Sequence, residues 1–251
     1  MAMGRFATTV PYYSRYREPY PPAFFETIAK RLNFTGHERL GDIGCGPAPL
    51  AIGFASYVGS CTGIDPEPAM LAAAREQAKE SGVTLNLLEA RVEQLPEGLE
   101  RFDLVTIGRA LHWMEPQATL RVLDRIVSEG GSILVCGASP PPGPSNPWLE
   151  AYNEIRSRWV DHRGEERYPA EAEQRFAASR FRFVDRIVVS TAHSVSVEEL
   201  ARRSLSRSTT SPQVLGARLA DFEQALTEAL RPFASEGALR EEIHASARIF
   251  R

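Results

Sequence analysis

The sequence has few cysteines, and they are not spaced to hold a metal or to form a disulfide framework. Its three cysteines are Cys45, Cys61 and Cys136, and no two of them form a C-x-x-C pair. Structural zinc sites and small disulfide-bonded domains depend on closely spaced cysteines. The sequence therefore indicates neither. It predicts three buried free thiols and no metal site.

Long hydrophobic runs and a large net charge are also lacking. No stretch approaches the roughly 18 apolar residues of a membrane-spanning helix, and the first residues lack a signal-peptide pattern. The net charge of -3 at pH 7 argues against nonspecific attraction to nucleic acid. Lysine is nearly absent, since only Lys30 and Lys79 occur among 29 basic residues. We expect a cytoplasmic protein with no membrane or nucleic-acid partner.

The 251 residues, 43% of them apolar, suffice for one large domain with or without a lid. Apolar runs alternate with helical patterns, which is typical of an α/β fold with a parallel sheet. Strands are predicted at 39–43, 61–65, 84–88, 102–107, within 128–138 after a glycine turn, at 182–189 and at 242–250. Helices are predicted at 24–32, 50–58, 68–81, 117–127, 148–159 and 213–231, with a short one capped by Ser196 and a loop at 202–212.

Residues 39–50 read as a buried strand, a glycine turn and the start of a helix. Gly44 and Gly46 lack a Cβ, so the main chain there can approach a ligand closely. A dinucleotide fingerprint G-x-G-x-x-G would need glycine where Pro49 stands. The string Asp42-x-Gly44-x-Gly46-x-Ala48 instead resembles motif I of class I S-adenosylmethionine (SAM) methyltransferases, which usually have a third glycine at the position of Ala48.

The second predicted strand ends in a carboxylate, Asp65, 21 residues beyond Gly44. In a βαβ unit this interval brings an acid to the ribose of a bound nucleotide. Two ribose hydroxyls need an acceptor with two oxygens, which a carboxylate supplies. The pairing of turn and acid therefore indicates an adenosine-containing ligand, and it suits SAM and NAD alike.

Three further segments resemble the trans-aconitate methyltransferase-like group of small-molecule methyltransferases. Residues 90–96 are similar to the segment that flanks adenine in that group. Residues 108–114 are similar to its "GqALHWf" loop, with Arg109 in place of the glutamine. Residues 16–21 are similar to its "Y…RPxYP" lead-in, with Glu18 inserted.

This resemblance implies a Rossmann-like fold with a seven-stranded, mostly parallel sheet, an antiparallel last strand and helices on both faces. It implies a single domain over 1–251, with an N-terminal cover segment at 5–25 and an inserted lid at 139–180. It also implies SAM as cofactor and methyl transfer to O or N of a small molecule, either a carboxylic acid or a heterocyclic secondary metabolite. A noncatalytic SAM-binding protein, a nucleic-acid methyltransferase and an NAD-dependent dehydrogenase are the alternatives, and monomer or homodimer is left open.

The candidate site residues follow from these motifs and from the resemblance. His112 is the candidate catalytic residue, because the loop after strand four lies beyond the carboxyl ends of the strands and a histidine can accept a proton near pH 7. The candidate cofactor-binding residues are Tyr16, Arg17, Asp42, Gly44, Cys45, Gly46, Asp65, Pro66, Met70, Val92, Glu93, Gly108 and Ala110. The candidates for substrate contact are Arg109, His112, Trp113, Trp148 and Arg207.

Several of these candidates have an ordinary structural alternative. Tyr16 and Arg17 suit an N-terminal arm that packs on the core, and Glu93 suits a solvated charge. Trp148 lies among aromatics at helical spacing, which are more often core residues than pocket lining. Arg109, Arg207 and their neighbours at 202–203 suit either an anion clamp or solvated helix faces.

Overall fold

The computed structural model describes residues 8–160, 168 and 171–251. Contacts within the chain divide it into two units. Unit 1 contains the described residues of Met1–Pro19, Ala138–Glu165 and Ser190–His244, and unit 2 contains those of Tyr20–Gly137, Glu166–Val189 and Ala245–Arg251. Every helix in these described ranges is too short or too polar to cross a membrane.

Seven strands form one sheet in the order β3-β2-β1-β4-β5-β7-β6. The strands are β1 (Arg39–Ile43), β2 (Ser60–Asp65), β3 (Asn86–Glu89), β4 (Phe102–Gly108), β5 (Val127–Ser139), β6 (Phe183–Ser196) and β7 (Ala238–Phe250). Strands β1 to β5 are parallel, and β7 runs antiparallel to both β5 and β6. The predicted Rossmann-like architecture, with its antiparallel last strand, is confirmed.

Ten α-helices fall within the described residues. They are α1 (Val10–Tyr16), α2 (Pro22–Leu32), α3 (Pro49–Phe54), α4 (Pro68–Glu80), α5 (Pro116–Ile126), α6 (Leu149–Trp159), α7 (Ala172–Phe176), α8 (Val197–Ser204), α9 (Pro212–Leu215) and α10 (Leu219–Leu230). Proline opens several of them, because it has no N–H to leave unsatisfied in the first turn.

The core of unit 2 surrounds the central strands β1 and β4. Both strands are buried along most of their length, as expected for parallel strands that are covered on each face. Their pairing sets Asp42 opposite Thr106 on β4, while the pairing of β1 with β2 sets Asp42 opposite Gly63. This register brings the carboxyl ends of β1, β2 and β4 to one edge of the sheet.

The core of unit 1 is built mainly from α6, α8 and α10. Trp148, Tyr152, Leu200, Phe222 and Leu226 are all buried there. The cap predicted at Ser196 is present, and it is a full capping box, because the Ser196 hydroxyl accepts from the amide of Glu199 and the Glu199 carboxylate accepts from the amide of Ser196. The cap fixes where β6 ends and α8 begins.

Two helical predictions near the C-terminus were wrong. The expected loop at 202–212 is mostly helical, because α8 continues to Ser204 and a 3₁₀ turn covers Ser208–Thr210. The expected helix at 213–231 is broken at Gly216, whose φ of 55° lies in the left-handed region. That conformation, which glycine adopts without strain, separates α9 from α10.

Three strand predictions also differ from the structure. The glycine turn expected before strand five lies inside β5, where the pairing with β4 is irregular between Phe102 and Leu104. The last two strands begin or end well outside their predicted bounds. Long antiparallel strands of mixed polarity lack the continuous apolar run from which strand bounds are read. The prediction of a lid at 139–180 partly concerns residues outside those described.

Helix α3 packs tightly against α2 through a glycine. A Cβ built on Gly53 would lie 2.1 Å from Cζ of Phe25, and the Phe25 ring also meets the Phe54 ring edge-on at 4.9 Å. Phe25 is buried, so its ring has little room to retreat. The absence of a side chain at Gly53 therefore sets the distance between α2 and α3.

We expect Gly53→Ala to destabilise the fold. Alanine stabilises a helix relative to glycine by about 1 kcal/mol. Overpacking a core costs about 1–3 kcal/mol, and the clash with a buried ring should make this cost exceed the gain in helix stability. Urea unfolding should show a net loss for this variant. Gly98→Ala is the control, since no atom lies within 4 Å of its added Cβ. Equal stability of the two variants would contradict the packing argument.

Candidate functional site

The glycine turn after β1 is tied to the end of β2 by three consecutive amides. The N–H groups of Gly44 and Cys45 donate to the carbonyl oxygen of Ile64 at 2.8 and 3.1 Å. The N–H of Gly46 donates to Oδ2 of Asp65 at 2.9 Å. These three amides already donate within the protein. A ligand can therefore approach the backbone of the turn closely, but it does not meet three free hydrogen-bond donors.

The turn needs glycine at its two positions for different reasons. Gly44 and Gly46 have φ values of 66° and 56°, in the left-handed region. A Cβ on Gly44 would lie 2.5 Å from Cβ of Ala110, whereas the nearest atom to a Cβ on Gly46 is Sδ of Met70 at 3.9 Å. Gly44 therefore lets the loop after β4 pack on the turn, and Gly46 leaves open space beside it.

Ala48 also adopts a left-handed conformation, with φ of 60°. This is the position at which the resembling family usually has its third glycine. A left-handed conformation costs a residue with a Cβ roughly 1–2 kcal/mol. The backbone at position 48 thus adopts the left-handed conformation for which glycine is best suited, although the residue is alanine.

Asp65 lies at the carboxyl end of β2 with both oxygens engaged by backbone amides. Oδ2 accepts from Gly46 and Oδ1 accepts from Glu67 at 2.9 Å. Burial raises the pKa of this carboxyl group, whose residue is 8% exposed. Each carboxylate oxygen can accept a second hydrogen bond, so the group retains acceptor capacity for a ligand. The neighbouring candidates differ in exposure, since Pro66 is exposed and Met70 is buried.

Asp42 lies beneath the turn and is 1% exposed. Its Oδ1 accepts from the Thr106 hydroxyl at 2.7 Å, and its Oδ2 accepts from the Ala51 amide at 3.3 Å. Burial raises the pKa of Asp42 to about 7, against the lowering effect of those two hydrogen bonds. The carboxyl group thus joins β1, β4 and α3, which supports a positioning role. Its predicted contact with the cofactor stays a prediction.

The loop after β4 begins at Gly108 and places Arg109 in a left-handed conformation, with φ of 57°. The Arg109 amide donates to the carbonyl of Cys136 at 3.1 Å, and its guanidinium carbon lies 5.0 Å from the centre of the Tyr20 ring. This stacking against Tyr20 was not foreseen from the sequence. Contact of Arg109 with a substrate stays a prediction.

His112 and Trp113 follow in a 3₁₀ turn, Leu111–Trp113, with their ring centres 4.7 Å apart. Both side chains are partly exposed. The backbone of the turn is held by Arg175, which donates to the carbonyls of Leu111 at 3.3 Å and Met114 at 2.7 Å. Arg175 lies in a polar stretch with no recognisable motif, so nothing in the sequence pointed to this role.

The predicted adenine segment is joined to the same loop through Glu93. Val92 opens a 3₁₀ turn and is buried. The Glu93 carboxylate accepts from the Glu115 amide at 2.9 Å and pairs with Arg91 at 3.4 Å. Glu93 is therefore more than a solvated charge, since it holds the two segments together. Whether Val92 or Glu93 contacts a cofactor stays a prediction.

Tyr16 and Trp148 belong to unit 1. The Tyr16 hydroxyl accepts from Arg202 at 3.1 Å, and its carbonyl accepts from Arg203 at 2.8 Å. Trp148 is 1% exposed, and its indole N–H donates to the carbonyl of Arg240 at 3.0 Å. The structure thus supports the core alternative for Trp148, and its role as pocket lining stays a prediction.

Arg17 and Arg207 also belong to unit 1, where they share one partner. Glu18 is buried and receives Arg207 at 3.0 Å and Arg17 at 3.6 Å. Arg17 also donates to the hydroxyl of Ser206 at 3.3 Å. Neither arginine is a merely solvated charge.

The three cysteines are free and buried, as predicted. Burial raises the pKa of Cys61 to about 12, and it raises the pKa values of Cys45 and Cys136 well above the usual range. Such thiols are unreactive at neutral pH. Cys45 is therefore present in the turn as a small apolar side chain.

Residues 41–135 match the family described as a methyltransferase domain. The ubiquinone biosynthesis O-methyltransferase of Pseudomonas aeruginosa strain LESB58 is 36% identical over 110 residues, which cover 43% of this chain and 47% of the relative. The chain thus spans about half the length of the curated relatives it matches.

Solved structures share the fold at low sequence identity. A SAM-dependent methyltransferase from Geobacter sulfurreducens, in complex with S-adenosylhomocysteine, has a TM-score of 0.57 and 17% identity, covering 99% of this chain and 98% of that chain. The [4+2]-cyclase SpnF has a TM-score of 0.57 and 18% identity, covering 97% and 93%. Residues 41–135 therefore match a methyltransferase domain in sequence, and the chain shares the fold of a SAM-dependent methyltransferase, in agreement with the sequence analysis, while the trans-aconitate-like grouping stays a prediction.

The buried carboxyl group of Asp42 predicts a pH dependence of stability. Its pKa rises from 3.8 in the unfolded chain to about 7 in the folded protein, so within this window the folded state binds the additional proton. The contribution of Asp42 to the free energy of unfolding should then fall as the pH rises from about 4 to about 7, by at most about 4 kcal/mol at 1.36 kcal/mol per pKa unit. Asp42→Asn, which does not titrate, should lose less stability across this range in chemical denaturation.

Asp103→Asn is the control of opposite sign. The Arg39 guanidinium holds the pKa of Asp103 at about 2, so this carboxylate stabilises the fold above its ordinary pKa of 3.8 and loses that effect as the pH falls. The deficit of Asp103→Asn relative to the wild type should therefore shrink in acid. Parallel stability curves for Asp42→Asn and the wild type would contradict the shift assigned to Asp42.

Proposed function

We propose that this chain, whose residues 41–135 form a methyltransferase domain, transfers the methyl group of SAM to an oxygen atom of a small-molecule acceptor. The observation that carries the proposal is the joining of the glycine turn to Asp65 at the shared edge of β1 and β2. A turn with an open face beside a carboxylate at a strand end suits an adenosine-containing ligand. Because a cyclase shares this fold, the fold by itself does not fix the reaction.

The residues present fit SAM. Gly46 leaves a cradle that a Cβ would fill, since the nearest atom to that position is 3.9 Å away. Asp65 retains acceptor capacity for the two ribose hydroxyls. Met70 supplies apolar surface beside this cradle, since its Sδ atom lies 3.9 Å from the Cβ position built on Gly46. SAM would supply a methyl group bonded to a positively charged sulfur. The acceptor would displace that sulfur in line, and S-adenosylhomocysteine would be the leaving group.

The residues of the chain then have to bind and orient the acceptor and exclude water. Holding two reactants in line contributes roughly 7–11 kcal/mol to such a reaction, so no nucleophilic side chain is needed. His112 is the residue that we propose contacts the acceptor. Its carbonyl accepts from the amide of Tyr168 at 2.9 Å, and Arg175 braces the same turn, so its backbone is held firmly.

The role of His112 depends on the acceptor. A hydroxyl group must lose a proton during methylation, and a histidine is suited to accept it. A carboxylate is already ionised and would need His112 only for orientation. The matched relative is named an O-methyltransferase of ubiquinone biosynthesis, and the trans-aconitate-like resemblance favours a carboxylic acid. Both favour oxygen over nitrogen. We retain the expectation of a cytoplasmic enzyme.

Asp65→Asn should weaken the binding of S-adenosylhomocysteine. An amide side chain has one acceptor oxygen where the carboxylate has two, so it cannot satisfy the Gly46 and Glu67 amides as well as a ribose. Isothermal titration calorimetry should show a dissociation constant raised roughly tenfold or more. Glu76→Gln removes the same charge from an exposed position of α4 and should bind like the wild type.

Two results would overturn the cofactor proposal. One is unchanged affinity of Asp65→Asn for S-adenosylhomocysteine. The other is thermal stabilisation of the wild type by NADH and not by S-adenosylhomocysteine, which would favour the dehydrogenase alternative.

His112→Ala should lower methyl transfer while leaving the affinity for S-adenosylhomocysteine unchanged. The assay incubates the protein with methyl-labelled SAM and a metabolite extract and identifies the labelled product by mass spectrometry. Loss of a positioned general base typically costs about 10²- to 10⁴-fold in rate. His37→Ala, at an exposed position of the same unit, is the control.

The outcomes separate the alternatives. Unchanged product formation by His112→Ala would remove this residue from the proposed site. Tight binding of S-adenosylhomocysteine by the wild type without any labelled product would favour a noncatalytic SAM-binding protein.

A further inference from the structure

The loop that carries His112, residues 109–115, joins β4 to α5 and is held by contacts with three other segments. We name it the acceptor loop, since His112 is the residue proposed to contact the acceptor. The three segments are the glycine turn, the predicted adenine segment at 90–96 and helix α7, and all belong to unit 2. These contacts determine where the imidazole of His112 lies.

The acceptor loop packs on the glycine turn through two side chains. A Cβ built on Gly44 would lie 2.5 Å from Cβ of Ala110 and 3.2 Å from Cε of Met114. Ala110 and Met114 are both buried, and they belong to the same hydrophobic cluster as Val92 of the adenine segment. The loop therefore lies against the part of the chain that is proposed to hold the cofactor.

The acceptor loop ends at the start of α5, where the helix itself provides only half of a cap. Glu115 is the N-cap residue, and its carboxylate accepts from the amides of Gln117 and Ala118. In a full capping box the third helical residue has a Glu or Gln side chain that accepts from the N-cap amide. In α5 this third residue is Ala118, which has no such side chain. The amide of Glu115 therefore needs an acceptor from outside the helix.

Glu93 of the adenine segment supplies that acceptor. Its Oε1 atom accepts from the Glu115 amide at 2.9 Å, although the two residues lie 22 positions apart in the chain. The Glu93 side chain is 16% exposed and pairs with Arg91 at 3.4 Å. At the start of α8 the equivalent bond is local, because Glu199 accepts from the Ser196 amide three residues away. In α5 the same kind of bond joins two distant segments.

Arg175 of α7 provides the third contact, since it donates to the carbonyls of Leu111 and Met114. Burial lowers the pKa of Arg175, and the negative charges of Glu115 and Glu93 are among the groups that oppose this effect. Both carboxylates thus act on the same guanidinium. This agrees with the position of Glu93 beside the acceptor loop.

We infer that Glu93 is a positioning residue for the reaction: its bond to the Glu115 amide holds the acceptor loop, and with it His112, against the adenine segment. The inference rests on the proposed function, because it assigns Glu93 an effect on methyl transfer that acts through His112. It differs from the expectation drawn from the sequence, in which Glu93 itself binds the cofactor. The two roles predict different losses when the side chain is removed.

Glu93→Ala should lower the rate of methyl transfer about tenfold to a hundredfold at saturating SAM, because a small misplacement of reacting groups has an effect of this size. The rate is measured with methyl-labelled SAM and the metabolite extract. The dissociation constant for S-adenosylhomocysteine, measured by calorimetry, should keep its wild-type value. Glu97→Ala is the matched control, since Glu97 is exposed and directly follows the adenine segment.

Two further variants separate positioning from helix capping. Glu93→Gln keeps an oxygen that can accept from the Glu115 amide, so it should restore most of the rate. Glu93→Ala combined with Ala118→Glu gives α5 a local cap but no link to the adenine segment. This double variant should regain stability in urea unfolding and still transfer the methyl group slowly. A wild-type rate in the double variant would mean that Glu93 only caps the helix, and it would contradict the inference.

Hydrogen exchange provides a readout that does not depend on activity. Amides within residues 110–114 should exchange faster in Glu93→Ala and in the double variant than in the wild type, and Glu97→Ala should exchange like the wild type. If the wild type transfers no methyl group, the proposed function fails, and the exchange rates still decide whether Glu93 holds the loop.

The inference is overturned if residues 110–114 of Glu93→Ala exchange at the wild-type rate, or if this variant transfers the methyl group as fast as an active wild type. An equal loss of rate and of affinity for S-adenosylhomocysteine would also overturn it, and would assign Glu93 to the cofactor. Should Glu93→Ala fail to fold, the double variant serves for the same measurements, because its α5 has a complete cap.

Discussion

The hydrogen bonds between the glycine turn and the end of β2 are the constraint on which the proposed cofactor site depends. Gly44 and Cys45 donate to Ile64, and Gly46 donates to Asp65, so two neighbouring strands and the turn form one unit. The bond from Gly46 fixes the orientation of the carboxylate. A ligand that binds here meets a preorganised acceptor, which lowers the entropy that binding would otherwise cost.

Two buried charged side chains hold the surroundings of this turn. Asp42 bonds Thr106 and Ala51, and so couples β1 to β4 and to the first turn of α3. Arg175 holds the loop after β4 by donating to Leu111 and Met114. Both roles require that the group be buried, and burial is why the pKa of Asp42 rises and the pKa of Arg175 falls. Positioning therefore has an electrostatic cost in this protein.

In unit 1, by contrast, the buried charged side chains of Glu18, Arg203 and Glu241 lie in ion pairs. Arg203 and Glu241 form a buried bidentate pair, and Glu18 pairs with both Arg207 and Arg17. In an arginine-rich chain, composition does not reveal these pairs, because paired and solvated arginines look identical in the sequence.

The sequence by itself determined the elements whose signals are local. The apolar run at 102–107, the glycines at 44 and 46, the acid at 65 and the cap at Ser196 predict a strand, a turn, a strand end and a helix start. Periodicity, turn chemistry and capping each act over a few residues. The tertiary structure alone decided the side-chain partners: Arg175 with the loop after β4, Glu93 with Glu115, and Arg203 with Glu241. Those contacts join residues far apart in the chain, and no local preference encodes them.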